Sequence, residues 1–233
     1  MMTKEHAHID TWLIDMDGTI YDQEKYVIPK LWETFTSYVE TYIPEQAGNI
    51  RSFFLDYVKQ YGTFIQGLIK HHPDIDPDHF QQHIHNFDVS PIKRCALTTD
   101  GIARLPGQKI IFTNSARDFT ERVLDHHGLM PHLDGIVTIE DVGYTNPKPH
   151  MKAYERCLEK FGLDPRRTGM IEDTHGNLVA ARQLGMHTVW LHGDKKFKDH
   201  LHVREAAHNM AQWLQRVLPP PAPVIPPAYG LRL

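Results

Sequence analysis

The sequence predicts an α/β fold: a parallel sheet whose first strand is followed by an inserted bundle of helices. Three observations predict it. A short apolar run, Ile9 to Ile14, ends directly in Asp15-Met16-Asp17-Gly18. A long stretch with helical periodicity and no convincing strand comes next. From Leu105-Pro106-Gly107 onward, short apolar runs alternate with helical segments, the pattern of βαβ units.

Taken in order, Trp12, Leu13 and Ile14 suit a buried first strand. After Tyr21 the spacing becomes helical. Pro29 suits a first turn, and Leu31, Trp32, Phe35, Tyr38, Val39 and Tyr42 follow at three-and-four spacing until Pro44 stops them. A second stripe runs from Ile50 to Gly62, a third short helix from Phe64 to Ile69, and Asp76-Pro77 caps a fourth. Pro91 opens a fifth that runs toward Arg104.

Beyond Gly107, strands are predicted at Lys109 to Phe112, Ile136 to Ile139, Met170-Ile171 and His187 to Leu191. Between them lie helices through Val123 and Leu124, from His150 to Phe161, and from Asn177 to Leu184; Gly128, Gly162 and Gly185 close these. Ser115 with Asp118 reads as a capping box for the first of the three. A last amphipathic helix spans Arg204 to Leu218, and the six prolines between Pro219 and Pro227 make an extended tail. The expected organisation is a core of residues 1–21 and 105–218, a helical insertion of 22–104 and a tail of 219–233.

At 233 residues the chain accommodates one core domain and a smaller insertion. A formal net charge of −4 excludes a global attraction for nucleic acid or an anionic membrane surface, so an anionic substrate needs local positive groups. Cys95 and Cys157 match no metal or redox spacing, and the N-terminal residues carry no signal-peptide pattern, so a cytoplasmic protein is expected. The 17 histidines include His71-His72, His83 with His85, and His126-His127, but none of these clusters has a zinc-site spacing; they read as surface residues.

The chemistry sits where strands end. The first strand delivers Asp15 and Asp17, the second Thr113-Asn114-Ser115, the loop after the third Asn146-Pro147-Lys148-Pro149, and the fourth Glu172-Asp173 with Asn177. In a parallel sheet these ends share one edge, so residues distant in sequence converge. Four carboxylates, a hydroxyl and one lysine match a magnesium ion plus a phosphoryl group. Magnesium prefers hard oxygen ligands, and Asp15, Asp173 and the backbone carbonyl of Asp17 would suffice, with Glu172 as a direct or indirect helper. Lys148 would neutralise the remaining phosphate charge. Thr113 and the amides after it offer an anion site at a helix start, with Asn114 beside it. Each piece alone also reads as an ordinary turn, cap or surface lysine; their order and their common edge favour a site.

Asp15-Met16-Asp17-Gly18-Thr19, Thr113-Asn114, Lys148-Pro149 and Glu172-Asp173 with Asn177 resemble the four motifs of the haloacid dehalogenase-like superfamily of phosphatases, over nearly the whole chain up to Leu191. The resemblance implies a Rossmann-like, three-layer α/β/α core and a helical cap between the first two motifs. It also implies Asp15 as nucleophile forming an aspartyl-phosphate, and Asp17 as general acid and then base.

The segment Tyr57 to Leu68 is similar to the cap of the pyrimidine 5′-nucleotidase branch, and Tyr21 fits that branch too. This implies a nucleoside monophosphate as the small-molecule substrate, contacted by Tyr57, Tyr61 or Gln66. Because Phe54, Tyr57, Val58 and Tyr61 share one helical face, packing is the competing role for the tyrosines. The same chemistry on a sugar phosphate or phosphoglycolate is the close alternative. A dehalogenase has no need of Asp17 as proton donor or of a metal carboxylate at Asp173. A non-catalytic phosphate-binding scaffold, with the proline tail as its interaction arm, is the reading from a different class. No nucleic-acid, membrane or obligate protein partner is expected.

Overall fold

The computed structural model describes residues 4–195 and 200–220. Its strands are β1 (Thr11–Ile14), β2 (Gln108–Phe112), β3 (Gly135–Val137), β4 (Thr168–Glu172), β5 (His187–Leu191) and β6 (Glu205–Ala207). They form one parallel sheet in the order β3-β2-β1-β4-β5-β6. β1 is therefore central, with β2 on one side and β4 on the other, and Ile14 pairs with both Ile111 and Ile171. The strand order reverses at β1, which makes its C-terminal end the ligand crevice of such a sheet.

The helices are α1 (Gln23–Tyr26), α2 (Ile28–Tyr42), α3 (Ile50–Tyr61), α4 (Phe64–His71), α5 (Pro77–Ile84), α6 (Ala96–Arg104), α7 (Arg117–His126), α8 (Ile139–Val142), α9 (Met151–Phe161), α10 (Leu178–Gln183) and α11 (Met210–Val217). Side chains alternate across the sheet with period two and so divide the core into two layers. Trp12 and Ile14 pack with Ile102, Phe119, Val123 and Trp213, while Leu13 packs on the other face with Phe112, Tyr154, Cys157 and Leu178. The strands are buried on both faces, which is why they read as continuous apolar runs rather than alternating ones. Gly169 leaves room for the Trp12 ring: a Cβ there would lie 2.3 Å from it.

A third cluster holds the inserted helices together. Phe35, Tyr38, Val39, Phe53, Phe64, Leu68 and Phe80 from α2 to α5 interlock, and Ile139 of α8 reaches them from the core. The expected caps are present: Asp76 accepts from the Asp78 amide, and Gly162 ends α9 in the left-handed conformation. Among the described residues between 22 and 104 there is no strand.

Several elements depart from the sequence reading. The helix expected from Pro91 begins only at Ala96, and its Gly101–Ile102 face packs on α11 and the sheet rather than on α2 to α5. The strand expected to reach Ile139 stops at Val137, because Thr138 caps α8 in a capping box with Asp141. The helix expected from Arg204 is first a strand. Glu205-Ala206-Ala207 has little intrinsic β-preference, but the free edge of β5 takes it as a sixth member, with Arg204 N donating to Thr188 O at 3.1 Å and His192 N to Ala207 O at 2.9 Å. Asn209 then caps α11.

His85 and His127 are buried rather than on the surface, with 6% and 2% exposure. His6 and His187 are buried as well, each pairing through Nε2 with Oε1 of Glu205, which ties the N-terminal segment to β5 and β6. The proline-rich tail lies, beyond residue 220, outside the described residues. No helix among the described residues is long and apolar enough to cross a membrane.

Candidate active site

β1 hands over to a tight turn. Asp15 N donates to Ile171 O at 3.0 Å, continuing the ladder one residue past the strand, and Thr19 N and Ile20 N both donate to Met16 O. Gly18 has φ +81°, and a Cβ on it would lie 2.6 Å from Oδ2 of Asp173. Only glycine both adopts this backbone and admits that carboxylate. The turn therefore brings the first and fourth strand ends into contact.

Lys148 lies at the centre. Its Nζ donates to Asp15 Oδ1 at 2.7 Å, Glu172 Oε2 at 2.8 Å and Phe112 O at 2.7 Å, so each ammonium hydrogen has an acceptor. The side chain is 1% exposed, as is that of Glu172. The lysine is held at its backbone by Asn114, whose Oδ1 accepts from Lys148 N at 2.8 Å and whose Nδ2 donates to Lys148 O at 3.0 Å. Asn114, expected beside a phosphate, thus has its amide engaged in gripping the lysine.

Burial pushes the Asp15 carboxyl well above the usual carboxylate range, and the neighbouring Glu172 adds to this against the opposing pull of Lys148. Glu172 is likewise raised, by burial first. Burial alone would lower the Lys148 ammonium, but Asp15 and Glu172 outweigh it and hold it far above its ordinary value. Two buried carboxylates, Asp15 and Glu172, thus share one buried ammonium, with Asp173 beside them, an excess of negative charge that a further cation relieves.

Asp15, Glu172 and Asp173 offer oxygens within 4.8 Å of one another. Oδ2 of Asp15 is buried and has no hydrogen-bond partner. A hard-oxygen set with one orphaned anionic oxygen fits magnesium. Because Glu172 accepts from Lys148 through Oε2 and from Thr174 N through Oε1, Asp15 and Asp173 are the better-disposed ligands. Lys195 Nζ stands 3.3 Å from Asp173 Oδ2.

Asp17 is turned toward three hydroxyls. It accepts from Ser115 Oγ at 2.7 Å, from Thr113 Oγ1 at 3.3 Å, and from the buried Tyr21 hydroxyl. Burial and then Asp17 itself raise the Tyr21 phenol well above its ordinary range, so it stays a donor. The capping role expected for Ser115 is therefore corrected: its hydroxyl is on Asp17, the cap position of α7 is Ala116, and Asp118 pairs with Arg122. Ser115 and Tyr21 are site residues whose roles the sequence reading missed. Their spacing, two beyond Thr113 and four beyond Asp17, was the available signal.

Above the strand ends, a cavity of about 240 Å³ lies between the inserted helices and the core. Trp32, Phe35, Phe54, Phe64 and Phe80 wall it on one side, and Asn114, Ile139 and Pro147 on the other. Asn114 and Pro147 flank the lysine clamp, so the cavity abuts the charged site. Tyr57, Tyr61 and Gln66 are not among its lining residues. Tyr57 stacks on Phe64 and pairs with His72 at 3.1 Å, and Tyr61 pairs with His71 at 2.5 Å. Gln66 instead spans the two halves: its Nε2 donates to Thr145 O at 3.1 Å and approaches His150 Nε2 at 2.9 Å. The wall aromatics had read as bundle core, because a helical stripe does not show which of its residues border a void.

A family model for haloacid dehalogenase-like hydrolases matches residues 12–191. Among curated proteins, the chain is 26% identical over 190 residues to "Pyrophosphatase PpaX" of Bacillus cereus, covering 77% of this chain and 82% of that one. It is 25% identical over 188 residues to the protein of the same name in Bacillus mycoides, covering 78% and 82%. Among solved structures, an HAD phosphatase from Thermococcus onnurineus superposes with a TM-score of 0.62 at 16% identity, covering 88% of this chain and 96% of that one. An L-2-haloacid dehalogenase from Xanthobacter autotrophicus gives 0.56 at 12%, covering 88% and 97%.

Proposed function

Because the chain belongs to the haloacid dehalogenase-like hydrolase family, we propose that it is a magnesium-dependent phosphatase, acting on a small phosphomonoester through a phosphorylated Asp15. The observation that carries this reading is the Lys148 ammonium shared between Asp15 and Glu172, with the buried Oδ2 of Asp15 left unpaired.

In this mechanism a carboxylate oxygen of Asp15 attacks phosphorus while the bond to the leaving oxygen breaks, and Asp17 gives that oxygen a proton. Asp17 then takes a proton from water, whose oxygen attacks phosphorus and releases Asp15. Lys148 balances charge on the transferring group without reorganising, because its three acceptors and the Asn114 clamp already hold it. Magnesium, when held by Asp15, Asp173 and the Asp17 carbonyl, supplies positive charge to the phosphoryl oxygens. A carboxylate at Asp173 and a hydroxyl-anchored carboxylate at Asp17 favour phosphoryl transfer over dehalogenation, which requires neither.

For the substrate, we infer a nucleoside monophosphate, a pyrimidine one by the likeness of the cap segment. Residues 22–104 act in this reading as the cap, with α6 anchoring it to the core. The aromatic wall suits a flat, uncharged leaving group. Among the described residues no Lys or Arg lines the cavity, so they offer nothing there to a second phosphate, the leaving group in the reaction named for the Bacillus relatives. Their likeness nevertheless keeps pyrophosphate as the second reading. Phosphate release from a panel of nucleoside monophosphates, sugar phosphates, phosphoglycolate and pyrophosphate, each with and without chelator, tests both. Preference for a nucleoside monophosphate and loss of turnover on chelation are expected. Preference for pyrophosphate or a sugar phosphate overturns the substrate class, and full turnover in chelator overturns the metal.

A further inference from the structure

Just beyond the carboxylates, three imidazoles from two separate segments meet beside β5. His175 follows the end of β4, and His200 and His202 precede β6. Ligand nitrogens of all three lie within 4.8 Å of one another. His175 Nδ1 and His202 Nε2 are 3.4 Å apart. Zinc–nitrogen bonds of about 2.0–2.1 Å place neighbouring tetrahedral ligands roughly 3.4 Å apart, so one edge of a zinc site is already at its bonded separation. The His175 and His200 rings stack at 4.2 Å, and the His200 and His202 centroids are 5.2 Å apart.

The segments are held from behind. Thr188 of β5 donates through Oγ1 to His202 O at 2.7 Å and accepts from Arg204 N, and Val203 N donates to His200 O at 2.8 Å. The Trp190 ring lies 5.5 Å from both His175 and His200 and walls the cluster on the sheet side. The His175 and His200 rings stack 15° from parallel, so their in-plane lone pairs meet at one ion once a ring turns about its Cβ–Cγ bond, a rotation open to side chains that are exposed or half-buried. The donor set is all nitrogen, which suits zinc and disfavours magnesium.

We propose that His175, His200 and His202 form a zinc site, distinct in ligand chemistry from the carboxylate site, that ties the segment before β6 to the loop following Asp173. Its fourth position is left for water or another small ligand. The sequence does not show it, because the spacing His200-x-His202 gains its third member only through the pairing of β4, β5 and β6.

The test uses the full chain without a histidine tag, stripped with chelator and then dialysed against Zn²⁺ in excess Mg²⁺, with bound zinc quantified. One zinc per chain is expected in the wild type and in His187→Gln, which alters the other histidine cluster. In the double variant His200→Ala/His202→Ala, affinity is expected to fall more than ~100-fold, beyond the cost of losing an indirect partner. Equal retention by wild type and double variant, or loss in His187→Gln alone, overturns the site. Should the double variant not fold, histidine-ring NMR of the wild type decides. Zn²⁺ is expected to shift the His175, His200 and His202 resonances together, and shifts confined to other histidines overturn the proposal.

Discussion

Asn114 and Lys148 grip each other through two hydrogen bonds, the asparagine side chain accepting from the lysine N–H and donating to the lysine carbonyl. The grip fixes the backbone from which the ammonium reaches Asp15. Asn114→Ala is expected to lower kcat by roughly 10–10²-fold, the scale of a misplaced catalytic group. Asn114→Asp keeps the acceptor but sets a second acceptor against the lysine carbonyl, and should lower kcat at least as far. Steady-state kinetics check both, and an unchanged kcat in Asn114→Ala would mean that the lysine is placed without the clamp.

Tyr21 donates to Asp17 from a buried position. A hydrogen bond to a charged group contributes about 1.5–3 kcal/mol. Tyr21→Phe is therefore expected to reduce kcat by about tenfold or more while leaving the fold intact, read as kinetics beside a thermal melt.

Removing the ammonium leaves Asp15, Glu172 and Asp173 together without it. Breaking a buried pair from one side costs about 3–5 kcal/mol, so Lys148→Met should melt well below the wild type at neutral pH. Magnesium should raise its Tm more than it raises that of the wild type. Calorimetry with and without Mg²⁺ measures this.

His127 gives a pH dependence with a definite sign. Burial first, then His126 and Arg94, lower its imidazole to about 4 from an ordinary 6.5. Above pH 6.5 the ring is neutral in both folded and unfolded chains. As pH falls from 6.5 toward 4, only the unfolded chain gains the proton, so stability is lost across that window. His127→Phe keeps an aromatic ring without a titrating group and should flatten this part of the profile in denaturant melts taken between pH 7 and 4.5.

Trp32 borders the cavity, whereas Tyr57 packs within the bundle. Trp32→Ala is expected to change relative KM across the substrate panel. Tyr57→Phe should leave that ranking unchanged, since only its contact with His72 is lost. A reranking by Tyr57→Phe alone would return the tyrosine to the substrate.

The strand ends were legible because each is a continuous apolar run broken abruptly by polar residues, as between Ile14 and Asp15 or Ile171 and Glu172. A parallel sheet then brings those ends together without further information. Partner choice was not legible at the same residues. Whether Ser115 caps a helix or donates to Asp17, and whether Asn114 meets a ligand or a backbone, depends on distances set by other strands. β6 was hidden for a similar reason: Glu205-Ala206-Ala207 favours a helix locally, and only the open side of β5 makes it a strand. In the inserted helices, periodicity showed which residues turn inward but not where packing leaves a space, so Trp32 and Phe54 looked the same as Phe53.

The stretch from Tyr144 to His150 carries the ammonium on Lys148 and fastens to the helical insertion on both sides of it, through Gln66 on Thr145 and His150 and through Tyr144 on Asp78. One loop thus both carries the charge and anchors the insertion. Any change that reseats the insertion to suit a differently shaped molecule will tug on the chemistry beneath it. Selectivity and turnover in this protein should therefore drift together, and variants chosen for a new preference will need compensating changes in this loop to regain speed.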